Sequence, residues 1–108
     1  MVPPIIVNEN GDIQLFRSME EAGRAMEPID VRNEEYKAYD AEGYPLHLDV
    51  EGNLVVITDR QGDGCQKEEL ERDLRSFLER ARTEVPGVGG MRLEDLIRVY
   101  VEEFGYAI

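Results

Sequence analysis

The chain has one cysteine, one histidine and no tryptophan among its 108 residues, and each scarcity removes a class of explanation. A lone thiol, Cys65, cannot form an internal disulfide, so the core must hold the fold, and a reducing, cytoplasmic setting is expected. One thiol and one imidazole are too few ligands for a zinc site. No apolar run approaches the roughly 18 residues of a membrane span. The opening "MVPPIIVNENGD" lacks a basic start and a small-residue cleavage site, so it reads as strand rather than signal peptide. Bases are scarce too, 12 against 24 acids, for a net charge of −12. Such a field repels phosphate backbones and anionic lipid, which disfavours nucleic-acid and membrane partners and favours a basic protein. The phosphate-cradling, dinucleotide and nucleophile-elbow glycine motifs are missing, and no cofactor is expected.

Apolar residues are spread along the whole length, which predicts a single domain over residues 1–108 with one core. "IIVNENGDIQLF" reads as a hairpin, because Asn10-Gly11 is the strongest two-residue turn signal. Ser18 and Glu21 form an S-x-x-E capping box, followed by Met19, Ala22, Ala25 and Met26 at helical spacing until Pro28. "EYKAYD", "YPLHLDV" and "LVVITD" predict a three-stranded meander, the last of them as an inner strand. Leu70, Leu74, Phe77, Leu78 and Ala81 mark one helix, whose outer face offers Glu68/Arg72 and Glu71/Arg75 at the spacing of ion pairs. Leu93, Leu96, Ile97, Tyr100, Val101 and Phe104 mark another, ending at Gly105. The expectation is an α+β fold: an antiparallel sheet of about five strands, with two C-terminal helices on one face and the other face partly open.

Catalytic candidates are few. His47 is the only side chain that titrates near neutrality, but Leu46 and Leu48 put it on the exposed side of its strand. Cys65 sits near a helix start, where a thiol pKa can fall, and a small hydrolase built on His47 and Cys65 is the weakest of the functional readings. "DRQGDGCQKEE" has Asp59, Asp63, Glu68 and Glu69 but not the ligand ladder of a calcium loop; a tight turn through Gly62 and Gly64 fits better, and no metal is expected.

One stretch stands apart. "EPIDVRNEEYKAYDAEGYPL", residues 27–46, holds Tyr36, Tyr39 and Tyr44 among acids, and residues 27–59 carry nine acids against Arg32 and Lys37. Tyrosines anchor interfaces and charge steers encounter, so Glu34, Glu35, Tyr39, Asp40, Glu42, Tyr44 and Asp49 are the candidate partner-binding residues. Composition supports an ordinary solvated sheet with core tyrosines equally well. The run "EPIDV…EY…YD.EG" within residues 10–46 resembles small acidic bacterial proteins, some of them immunity proteins of polymorphic toxin and contact-dependent growth inhibition systems. The resemblance implies a protein, not an enzyme, that binds and neutralises a cognate toxin domain one to one. The alternative is an acidic adaptor or nucleic-acid mimic that binds another basic partner.

Overall fold

In the computed structural model, which describes residues 2–59, 64–81 and 86–107, the chain opens with the expected hairpin. Strands β1 (Ile5–Glu9) and β2 (Asp12–Phe16) turn at Asn10 and Gly11, both at positive φ, as a tight two-residue turn requires. Helix α1 (Met19–Ala25) begins at Ser18, whose hydroxyl accepts the Glu21 amide at 3.1 Å. Only this half of the capping box forms, and Glu21 Oε2 is buried without a hydrogen-bond partner among the described residues. Pro28 ends α1 and also opens a short helix the periodicity did not reveal, α2 (Pro28–Arg32). Proline is well suited to that first position, where its missing amide costs no helical bond.

The meander is corrected. Strand β3 (Tyr36–Tyr39) lies antiparallel to β1, with Tyr39 opposite Ile6 and Tyr36 opposite Glu9, giving a three-stranded sheet in the order β2-β1-β3. Strands β4 (Leu46–Glu51) and β5 (Leu54–Asp59) form a separate two-stranded sheet. A single bridge, Tyr39 opposite Pro45, connects the two sheets. Among the described residues there are thus five antiparallel strands, in two sheets rather than one. Alternation in "EYKAY" specifies which face each side chain takes, but not which neighbour the strand edge meets. Nor is β5 an inner strand: it pairs with β4 alone, and Leu54 is 68% exposed. Its apolar run answers a helix instead. α1 comes so near that a Cβ on Gly23 would stand 2.8 Å from the Val55 carbonyl oxygen.

Two apolar clusters use the alternation of the central strands. Ile6, Ile13, Leu15 and Tyr39 pack with Leu70, Leu74 and Leu78 of α3 (Lys67–Arg80) and with Leu93, Leu96, Ile97, Val99 and Tyr100 of α4 (Leu93–Phe104). Ile5, Val7, Phe16 and Ala38 pack with Ala22, Met26, Leu46 and Ile57. The sheet face expected to be partly open is thus covered by α1 and the two-stranded sheet. The helix stripes are close to expectation, although Ala81 and Phe104 are exposed and Val99 joins the core.

The ion pairs expected along α3 do not form. Glu71 accepts the Leu93 amide and Arg75 donates to the Met91 carbonyl, each at 2.7 Å, so both side chains hold the start of α4. An amide without an intrahelical partner is a better acceptor's target than an exposed guanidinium four residues away. Gly105 ends α4 as expected, its amide donating to Val101 at 2.9 Å. The chain then returns to the outer edge of β2, where the Ala107 amide donates to the Leu15 carbonyl at 2.8 Å. No helix among the described residues is long and apolar enough to cross a membrane.

Candidate binding surface between the two sheets

Where the sheets part, a groove of about 660 Å³ opens between β3 and β4. Tyr36, Lys37, Ala38 and Tyr39 line one wall, and Pro45, Leu46, His47 and Leu48 line the other. Val31, Arg32 and Glu34 flank it from the α2 side, while Gln66 and Glu69 flank it from the start of α3. The Tyr39–Pro45 bridge marks the closed end. β3 and β4 run antiparallel away from that bridge, so the Glu34–Glu35 turn and Asp49 lie towards the open end.

The closed end is a built turn. Asp40 is 3% exposed, and its Oδ1 accepts the amides of Glu42 at 2.9 Å and Tyr44 at 3.0 Å. Its Oδ2 accepts the Val2 amide at 3.4 Å. The turn seats on the first residues of α3: the Gln66 amide donates to the Gly43 carbonyl at 2.8 Å. Gly43 has φ +92°, and a Cβ there would lie 2.7 Å from Lys67 Cα, so no larger residue fits without moving the helix.

These placements sort the candidate residues. Asp40 and Tyr39, expected at a binding surface, are both buried. The carboxylate is spent on its own turn, and the Tyr39 ring, 2% exposed, belongs to the core. Burial pushes the Tyr39 hydroxyl up to about 12, with Glu69 and Asp73 adding to the shift. Tyr44 precedes β4 and is 47% exposed. Glu34, Glu42 and Asp49 are exposed and Glu35 is half-buried. The candidate acids therefore divide between the two ends of β3: Glu34, Glu35 and Asp49 towards the open end, Glu42 beside Tyr44 at the closed end.

Sequence reasoning missed the company that the open-end acids keep. Tyr36 faces Asp30, its hydroxyl donating to Asp30 Oδ2 at 3.4 Å and accepting the Glu27 amide at 3.3 Å. Glu9 stands opposite Tyr36 in the β1–β3 register. A hydrogen bond with Asp30, then repulsion from Asp30, a little burial and the charge of Glu9 raise the Glu35 carboxyl above its ordinary range. Burial, with Glu9 and Asp30 nearby, raises Tyr36 as well. The two cations lining the groove are engaged, Lys37 with Glu69 at 3.3 Å and Arg32 with the Gly52 carbonyl at 3.3 Å. Glu34 makes no ion pair among the described residues. The result is crowded negative charge around Tyr36, next to a groove lined by Glu34 and Glu69 together with Arg32 and Lys37. Only a strand pairing far from the local sequence could bring Glu9 to Glu35.

The other candidates lie apart. His47 is exposed on the groove wall, whereas Cys65 is not among the lining residues and turns its thiol to the Glu42 carbonyl at 3.3 Å. Of the tight turn expected through Gly62 and Gly64, Gly62 lies outside the described residues, as does Asp63. Among the described residues no group of three or more histidine, cysteine or acidic side chains is placed to hold a metal ion. Compared with known proteins, the chain matches no protein-family model, no curated protein and no solved structure.

Proposed function

We propose that this chain is a stoichiometric binding protein for a basic partner, and specifically an immunity protein that neutralises a cognate bacterial toxin domain. The observation that carries the reading is the crowding of Glu9, Asp30 and Glu35 about Tyr36, beside a groove whose own charged lining sets Glu34 and Glu69 against Arg32 and Lys37. Crowded carboxylates repel one another, and a cationic surface relieves that repulsion on contact. Toxin nucleases present such surfaces because they grip phosphates. The net charge of −12 adds long-range attraction, which raises the rate of encounter. Exposed Tyr44, beside Glu42 at the other end of β3, supplies an aromatic contact of the kind that slows release.

The decisive experiment pairs the chain with the protein encoded beside its gene. Co-purification as an equimolar complex, with loss of the partner's toxicity, is the expected outcome. Absence of binding at low salt would overturn the reading. Tight binding to a basic partner that is not a toxin would favour the adaptor alternative.

A further inference from the structure

We draw no further inference here: the strongest candidate, the cavity of about 350 Å³ beside α1 lined by Arg17, Glu21, Arg24 and Ala25, carries nothing, because both guanidiniums are exposed surface groups and Glu21 Oε2, without a hydrogen-bond partner among the described residues, is shut off from solvent and so from any occupant of that cavity.

Discussion

A single carboxylate shows how a residue can look like surface and serve as scaffold. Asp40 accepts the amides of Glu42 and Tyr44 on one oxygen and the Val2 amide on the other, in a nearly closed setting. Replacing it with alanine leaves those amides without an acceptor, a loss of about 1–3 kcal/mol. Asp40→Asn keeps the oxygen that serves Glu42 and Tyr44, so denaturant titration should rank wild type, Asn and Ala in falling order of stability. Equal midpoints for all three would contradict this role. Glu35 makes the opposite case. Its folded pKa lies above the unfolded value of about 4.3. The native state therefore holds that proton more tightly than the unfolded chain does. The stability contributed is present in full below about pH 4.3 and is lost as pH rises through the folded pKa. Glu35→Gln should be more stable than wild type at pH 7 and lose that advantage at pH 4. An advantage that grows on acidification would show that the crowding by Asp30 and Glu9 is not felt.

Elements were legible in proportion to how local their causes are. The β1–β2 hairpin depends on two adjacent turn residues, and the start of α1 on a hydroxyl three residues before its amide partner, so both could be read from the chain. The stripes of α3 and α4 were legible for the same reason, and burial of the first is the main support of that helix. Leu74 is fully buried in the cluster shared with the sheet and α4. Leu74→Ala should cost about 2–5 kcal/mol, seen as a lowered midpoint with the helical circular-dichroism signal lost in the same transition. A change below 1 kcal/mol, roughly the surface-substitution level, would mean that α3 is not packed as described. Edges were not legible. Which strand β3 joins depends on partners about thirty residues away in the chain, such as Ile6 opposite Tyr39. The short helix α2 escaped notice because five residues are too few to display a period. Glu71 and Arg75 escaped for a related reason: their partners lie on another helix.

At the scale of the molecule the question is where the charge sits. The candidate residues include acids at both ends of β3, and the groove opens towards only one of them. Charge reversal at Glu34, Glu35 and Asp49 should therefore slow association with the basic partner more than reversal at Glu42, while changing release little. Stopped-flow rates over a salt series provide the check, since steering fades as the Debye length shrinks. Equal slowing from both ends would mean that net charge alone steers the encounter. Tyr44→Ala should act on release instead, because the ring is exposed and contributes contact rather than field.

The amino-acid order alone determined the class of the fold, most of its elements, the sign of its field and the absence of familiar catalytic motifs. Those properties follow from composition and short-range periodicity, which no folding event can alter. Only the tertiary structure decided that Tyr39 and Asp40 turn inward, that Glu9 and Asp30 join Glu35, and that β3 and β4 part to leave a groove between them. Each of these depends on which distant segments become neighbours, and burial over the whole chain selects those neighbours.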